Sequence, residues 1–301
     1  MKFSSSIILK DLLLSVGYKG NIIGDFETLV EGLNDDFVAQ PHDLTWVTSM
    51  PLLKELGNKN IPLAVITNVV PTKRVDNIVY VLSDNPISVF EKCVSKMYRS
   101  CHNEPVIGKG TVVHPSVVVG ENVRIGADCC ISPNVVIGDG TIIGNNVTIR
   151  ANAVVGADPF FAQRNQDHSF FERQIVGNVE IFDGVQIGAS TVIDRGLTST
   201  TYIGEGTKIG NFVEIAHDVV VGKYCGFSAQ VAIAGYVRIG DYCKFWGKSG
   251  VVNRINIASY TSVFAASIVT KDTKEGDNLC GFPAISKYEY WRQQARVRSL
   301  K

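Results

Sequence analysis

The chain has 301 residues, of which 45% are hydrophobic, and its 29 basic and 29 acidic residues cancel to a formal net charge of zero. This balance argues against a nucleic-acid partner, because phosphate backbones select proteins with a basic excess. No run of about 18 apolar residues occurs, so we expect no transmembrane helix. The seven cysteines form no CxxC pair and show no metal-ligand spacing. With no export signal either, these features favour a cytoplasmic protein.

Residues 1–103 predict a small α/β domain. The segment "SSIILKDLLLSVG" predicts an amphipathic helix rather than a signal peptide, because Lys10 and Asp11 interrupt its apolar residues and no small-residue cleavage site follows. Further on, "IPLAVIT" and "NIVYVLS" predict buried strands, and "NPISVFEKCVSKMYRS" predicts a second helix. The domain should end near "SCHNEP".

Residues 104–273 carry a six-residue repeat. An aliphatic or Phe residue recurs at every sixth position from Ile107 to Val155, from Ile175 to Ile193, and from Ile203 to Val269. Hexapeptide repeats are typical of a parallel β-helix, in which three hexads form one triangular coil, so these roughly 25 hexads predict about eight coils. Side chains alternate along a strand, so the position four residues after each aliphatic residue should also point inward. That position holds three cysteines, which we therefore expect in the core: Cys129, Cys225 and Cys243.

The repeat is interrupted twice and then ends. Residues 157–174 are aromatic, polar and off-period, which predicts a loop that leaves the prism, and "DRGLTSTTY" adds a smaller outward bulge. Residues 274–301 predict a Gly-Phe-Pro turn and a short basic, aromatic helix. We expect this helix to cap the open end of the β-helix.

His217, in "EIAHDVVVG", stands two residues after the inward Ile215, so the alternation points its side chain outward. One coil later the same corner holds Gly235, where a backbone N–H with no side chain in front of it can polarise a carbonyl oxygen. A histidine beside such a donor is the minimum apparatus for acyl transfer. Flat β-helix faces also suit trimeric packing, which would place an outward His217 in a cleft shared by two subunits. A solvated surface histidine is the alternative interpretation.

Two other classes of function are weaker. A metal-dependent hydratase on the same prism needs three clustered histidines, whereas only His217 is well placed among the five: His42, His102, His114, His168 and His217. No metal site is therefore expected. A non-catalytic scaffold would predict that replacing His217 changes no activity.

Residues 106–283 resemble the left-handed β-helix acyltransferases, and the chain as a whole resembles the UDP-3-O-acylglucosamine N-acyltransferases of lipid A biosynthesis. The segments that carry the resemblance are "GDFETLVEGLNDDFVAQPHDLTWV", "VVGADPFF", "VIDRG", "GNFVEIAHDVVVG", "AIAG" and "GFP". The resemblance implies a mainly β, left-handed parallel β-helix. It also implies an enzyme without a cofactor that works as a homotrimer on an acyl carrier protein thioester and a UDP-amino sugar. It assigns His217 as general base and Gly235 as backbone oxyanion donor, and it places Asn211, Asp194 and Phe160 beside the substrate.

The chain departs from this family in its N-terminal domain. The family's aromatic-Asn-Tyr motif for uracil is replaced by "WVTSMPLL", in which Trp46 can still stack on a base but no Asn or Tyr follows. A second family histidine is replaced near Arg254, and we expect Arg254 to contact the substrate. The alternative is a hexapeptide-repeat acyltransferase or acetyltransferase that acts on another nucleotide-linked amino sugar, with acetyl-CoA as a candidate donor.

Overall fold

The computed structural model describes residues 1–70, 75–98, 103–161, 168–170, 173–281 and 286–299. Its described part contains an N-terminal α/β unit, a parallel β-helix and a C-terminal helix. None of the described helices is long and apolar enough to cross a bilayer.

The N-terminal unit is a six-stranded sheet with helices on both sides. Its elements are β1 Lys2–Ile8, α1 Leu9–Ser15, β2 Ile22–Ile23, β3 Leu29–Leu33, β4 Asp43–Val47, α2 Met50–Asn58, β5 Leu63–Thr67, β6 Ile78–Leu82 and α3 Pro86–Met97. The strand order is β1-β3-β4-β5-β6-β2, with β3 to β6 parallel and the two outer strands antiparallel. Helices α1 and α3 share one core cluster, and α2 contributes to another.

The predictions of strands at β5 and β6 and of a helix at α3 are confirmed. The helix predicted in "SSIILKDLLLSVG" is present but shorter than predicted, because residues 2–8 form strand β1 and helix α1 begins only at Leu9. Three consecutive serines, Ser4 to Ser6, explain the difference: serine competes with helical hydrogen bonds and disfavours a helix interior. The pairing of β1 with β3 then fixes this segment as a strand.

The β-helix begins with β7 Val106–Ile107, β8 Val112–Val113, β9 Val118–Val119, β10 Arg124–Ile125, β11 Cys130–Ile131, β12 Val136–Ile137, β13 Ile142–Ile143, β14 Thr148–Ile149 and β15 Val154–Ala157. It continues with β16 Asn178–Ile181, β17 Gln186–Ile187, β18 Val192–Asp194, β19 Thr200–Ile203, β20 Lys208–Ile209, β21 Glu214–Ile215, β22 Val220–Val221, β23 Gly226–Phe227, β24 Ala232–Ile233, β25 Arg238–Ile239, β26 Lys244–Phe245, β27 Gly250–Val251, β28 Asn256–Ile257, β29 Ser262–Val263, β30 Ile268–Val269 and β31 Asn278–Leu279.

Every third strand joins the same parallel sheet, so the β-helix is a three-sided prism. We call the sheet from β7 to β28 face 1, the sheet from β8 to β31 face 2, and the sheet from β9 to β30 face 3; they hold 8, 9 and 8 strands. Paired residues lie one coil apart, as Glu214 and Ala232 do. The predicted parallel β-helix of about eight coils is confirmed.

The prism interior is a single column of apolar side chains. The predicted core cysteines Cys129, Cys225 and Cys243 are buried in it. At the lower end Ile107 is 47% exposed, because no coil lies beneath it. One hexad was misassigned: Ile175 lies outside the strands, and β31 supplies the last strand instead, by pairing with β29.

The two interruptions face the N-terminal unit. The first leaves face 3 after Ala157 and returns at Asn178; its residues 162–167 and 171–172 lie outside the described part. The second contains Leu197 and Thr198, both buried rather than exposed. The bulge packs there because Leu197 clusters with Val38 of the N-terminal unit and with Tyr236.

The C-terminal helix α4, Lys287–Arg298, begins with a capping box in which Ser286 and Glu289 bond each other's backbone. None of its residues is buried. The prediction that this helix caps the open end is therefore wrong. Its sequence explains this, because its apolar residues Tyr288, Trp291 and Val297 do not share one helix face that could pack on the prism.

Candidate active site

The candidate site lies at the corner between face 3 and face 1, where the chain turns from β21 into β22. At this corner three coils in succession place a side chain at a residue with positive φ: Asp218 at 57°, Tyr236 at 62° and Arg254 at 61°. Positive φ is uncommon for residues with a β-carbon, so the tight turn of the repeat dictates this conformation. The three side chains therefore form a column along the prism edge.

His217 is paired with the first member of this column. Its Nδ1 lies 3.0 Å from Oδ2 of Asp218, whose side chain is buried. The same oxygen accepts the N–H of Leu197 at 2.9 Å, and the N–H of Asp218 donates to Oγ1 of Thr201 at 2.9 Å. A carboxylate fixed in this way holds a proton on Nδ1 and leaves Nε2 as the basic nitrogen. Sequence reasoning did not single out Asp218, although its place next to His217 was a signal.

Gly235 lies directly against the imidazole ring. A β-carbon at this position would stand 2.6 Å from both Cε1 and Nε2 of His217, so the ring occupies the space that any side chain would fill. Among the described residues no group accepts the N–H of Gly235. At other corners the equivalent N–H is capped by a side chain of the next coil, as Ala189 is by Asn211 at 2.8 Å and Lys223 is by Asp241 at 2.8 Å. The structure therefore brings together the imidazole and an uncapped peptide N–H.

Asp194 lies at the end of β18, which pairs with β21, the strand that precedes His217. It is only 7% exposed, and within the described part its carboxylate has no hydrogen-bond or ion-pair partner. Burial and then the Glu214 carboxylate raise the pKa of Asp194 to about 7, while His217 acts in the opposite direction. Sequence reasoning missed Glu214, which lies on the outer side of β21 and looked like an ordinary surface residue. A positive charge placed here would relieve the repulsion between these two carboxylates.

Two predicted substrate residues lie elsewhere or have other contacts. Asn211 uses its side-chain oxygen to cap Ala189, so its place in the corner pattern explains it without a substrate. Phe160 is 83% exposed on the described part of the loop. Its neighbour Phe161 packs inward instead and lies 5.3 Å from the Arg173 guanidinium.

Trp46 and Arg254, also predicted to contact substrate, bind acidic side chains of the N-terminal unit. The indole N–H of Trp46 donates to Oδ1 of Asp35 at 3.0 Å. The Arg254 guanidinium forms two hydrogen bonds of 2.8 Å with the carboxylate of Asp36. Both acidic residues follow β3, at the end of the sheet that abuts the prism.

A cavity of about 670 Å³ lies between the N-terminal unit and face 1. Its lining includes the charged residues Lys2, Arg195, Arg238 and Asp218. It reaches the candidate site from the Asp218 side.

Among the described residues no group of three or more His, Cys, Asp or Glu side chains converges on a point that could hold a metal ion. Of the other histidines, His114 bonds Ser116 at a corner of the prism, and His102 lies outside the described part. The metal-dependent alternative thus has no ligand set in the part of the chain that the structure describes.

Comparisons with known proteins agree with this architecture. A family model described as bacterial transferase hexapeptide (six repeats) matches residues 104–139, 124–157 and 200–235. The chain is 52% identical over 122 residues to a UDP-3-O-acylglucosamine N-acyltransferase of Rhizobium meliloti (strain 1021). The aligned region covers 40% of this chain and 34% of the relative. It is 36% identical over 125 residues to the enzyme of that name in Methylobacterium sp. (strain 4-46), and this aligned region covers 42% of the chain and 36% of the relative. Each match thus spans about a third of the relative's length.

Among solved structures, the chain is similar to the UDP-N-acetylglucosamine acyltransferase of Francisella novicida. The TM-score is 0.51 at 25% sequence identity, and the similarity covers 64% of this chain and 72% of that chain. The hexapeptide-repeat fold and the resemblance to this group of acyltransferases, both predicted from the sequence, are confirmed.

Proposed function

We propose that the protein is an N-acyltransferase that moves a (3-hydroxy)acyl chain from acyl carrier protein to the 2-amino group of a UDP-3-O-acylglucosamine-type sugar. One observation carries this proposal: the imidazole of His217, oriented by Asp218, lies on Gly235, whose N–H donates to no group in the part of the chain that the structure describes. The curated relatives, which are named for this reaction, support the choice of acceptor and linkage.

The proposed chemistry needs only these groups. Nε2 of His217 takes a proton from the amine as its nitrogen attacks the thioester carbonyl carbon, which forms a C–N bond. The carbonyl oxygen becomes an oxyanion, and the N–H of Gly235 donates to it. The tetrahedral intermediate then collapses, the C–S bond breaks, and the imidazolium gives its proton to the departing thiolate. The products are an amide and the free thiol of the carrier, and His217 returns to its neutral form.

Asp194 has a specific place in this scheme. An amino sugar carries a proton on its amine for part of the time near neutral pH, whereas a hydroxyl acceptor does not. The buried carboxylate of Asp194 has no hydrogen-bond partner among the described residues, and with Glu214 beside it would attract that ammonium group into the site. Asp194 would then take the extra proton, which leaves the neutral amine that attacks the thioester. We propose that Asp194 binds the 2-amino group and thereby favours amine over hydroxyl acceptors.

We propose further that the site is completed in a homotrimer. On face 3, which leads to the His217 corner, Val118 and Val136 are exposed in the first two coils and Ile268 in the last, with the exposed Glu214 between them. Exposed aliphatic side chains of this kind favour packing against another subunit. The acyl chain would then lie between two subunits, beside His217.

The test is product formation by purified protein, followed by mass spectrometry with several acyl carriers and amino sugars. We expect His217→Ala to lower turnover by about 10² or more. His114→Ala is the matched control, because His114 also lies at a prism corner but far from Asp218 and Gly235 in the repeat. A His217→Ala variant that retains the wild-type rate would remove this residue from the mechanism.

A second candidate function is acyl transfer to a different nucleotide-linked amino sugar. It is favoured by the contacts of Trp46 and Arg254, since both side chains are already bound to Asp35 and Asp36. A nucleotide would then be held by other groups than those of the family motif. The same mass spectrometry, with acetyl-CoA included as a donor, separates the two functions by the product that forms.

A further inference from the structure

Asp35 is the centre of a buried polar cluster where the N-terminal unit meets the β-helix. Its carboxylate accepts hydrogen bonds from Nη2 of Arg173 at 2.9 and 3.0 Å, from Trp46 at 3.0 Å and from the Tyr236 hydroxyl at 3.1 Å. Thr198 adds a longer contact of 3.4 Å. Burial alone would raise the pKa of Asp35, but the ion pair with Arg173 and these hydrogen bonds hold it below its usual value. Asp35 is therefore a fixed anion.

Tyr236 connects this anion to His217. Burial and the nearby carboxylates of Asp35 and Asp218 raise the pKa of Tyr236, so its hydroxyl stays protonated and donates to Asp35. Its ring centre lies 4.9 Å from that of His217, with the two rings perpendicular. Its backbone N–H also donates to the carbonyl oxygen of His217 at 3.0 Å.

The other side of the Tyr236 ring is held as well. The Arg254 guanidinium lies 5.0 Å above the ring, at a distance typical of a cation–π contact. Arg254 is itself fixed by its two hydrogen bonds to Asp36, which neighbours Asp35 on the loop after β3. The N-terminal unit therefore holds Tyr236 at two points, through its hydroxyl and through Arg254.

The arrangement leaves the imidazole little freedom. Asp218 binds its Nδ1, Gly235 lies against Cε1 and Nε2, and Tyr236 packs on it at a right angle. If Tyr236 served only to join the N-terminal unit to the β-helix, its hydrogen bond to Asp35 would be enough, and it would not need to contact His217. If Tyr236 were free to turn, the imidazole could rotate away from Asp218 and lose the tautomer that makes Nε2 basic.

We propose that Tyr236 is a positioning residue for His217 and that the N-terminal unit, through Asp35 and Asp36, holds it in place. This inference builds on the proposed function, because it gives the N-terminal unit a role in catalysis beside any role in binding the nucleotide. It predicts that loosening the contact of Asp35 with Tyr236 weakens general-base catalysis without weakening substrate binding.

The test compares Tyr236→Phe with Thr198→Val. Each variant removes one hydroxyl that reaches Asp35 from the β-helix and keeps the shape of the side chain. Only Tyr236 touches His217. We expect Tyr236→Phe to lower kcat about tenfold with KM for both substrates within about twofold, because a misplaced base slows the chemical step. Thr198→Val should leave kcat within about twofold of the wild-type value. We expect both variants to lower Tm by a similar amount, because each loses one hydroxyl contact with Asp35.

A second measurement needs no turnover. The ¹H–¹⁵N NMR signals of the His217 ring report which ring nitrogen carries the proton. They should show a mixture of tautomers in Tyr236→Phe, and in Arg254→Lys to a smaller degree, but only the Nδ1-protonated tautomer in Thr198→Val. Equal losses of kcat in Tyr236→Phe and Thr198→Val, or an unchanged His217 tautomer in Tyr236→Phe, would overturn the inference. Because these spectra are recorded without substrates, they can succeed or fail independently of the proposed reaction.

Discussion

Gly235→Ala tests the candidate site most directly, because the structure gives the size of the perturbation. The added β-carbon would stand 2.6 Å from Nε2 and Cε1 of His217. Ordinary contact between such atoms is about 3.5 Å, so the ring must withdraw by roughly 0.9 Å. A displacement of about 1 Å at a reacting centre costs on the order of 10² in rate. The backbone itself tolerates alanine, because Gly235 is not among the glycines with positive φ.

The assay is kcat/KM for acyl transfer, measured together with Tm. Gly247→Ala is the matched control: Gly247 holds the same place in its hexad at another corner, and its β-carbon would meet only the Ala229 carbonyl oxygen at 3.4 Å. We expect Gly235→Ala to lower kcat/KM about 10²-fold and Gly247→Ala to leave it within about twofold. If Gly235→Ala were as active as Gly247→Ala, the close contact between His217 and Gly235 would have no part in the reaction.

Three further predictions follow from neighbouring groups. Asp218→Asn should lower kcat about 10²-fold with Tm changed by only a few degrees, because an amide no longer fixes the Nδ1 proton of His217; an unchanged kcat would contradict the pairing. Asp194→Asn should raise KM for the amino sugar about tenfold and leave KM for the acyl carrier unchanged; equal changes in both would refute its role with the amine. Burial raises the pKa of Glu91 from 4.5 to about 7, and this effect outweighs that of the Arg173 guanidinium, which lies 2.8 Å from the carboxylate and lowers the pKa. The folded state therefore keeps this proton where the unfolded chain has lost it, and stability falls as pH rises from about 4.5 to 7. The glutamine of Glu91→Gln cannot ionise. The free energy of unfolding of this variant minus that of wild type, measured with denaturant, should therefore be roughly 3 kcal/mol larger at pH 8 than at pH 4. The same difference at both pH values would rule this out.

The prism could be predicted from the sequence because its determinants are local. A period of six with alternating side chains fixes which residues point inward, and it placed Cys225 and Cys243 in the core without any knowledge of distant contacts. The same phase put His217 and Gly235 at one corner, one coil apart. The strand at the start of the chain could not be predicted, because its determinant is not local. Residues 2–8 form a strand because they pair with β3, and pairing of that kind leaves no periodic signal in the sequence.

The surroundings of His217 depend on contacts that the repeat does not encode. Asp35 and Tyr236 are 201 residues apart, and Arg173 reaches Asp35 across 138 residues. Trp46 is predicted to contact substrate because it can stack on a base, and Arg254 because it stands near the position of a family histidine. In the structure the N–H groups of both side chains donate to Asp35 and Asp36. A pattern shows where a side chain points, but not which distant group it meets.

The docking of the N-terminal unit along the prism limits how the gene can change in length. A free-standing array of coils accepts the gain or loss of one whole turn of eighteen residues, because each strand pairs only with its two neighbours. Here such an event between Val106 and His217 would preserve the strand pairing but move the histidine about 4.8 Å along the axis, away from the level that Asp35 and Asp36 reach. The number of turns before the His217 corner is thus set by how far the N-terminal unit reaches along the prism.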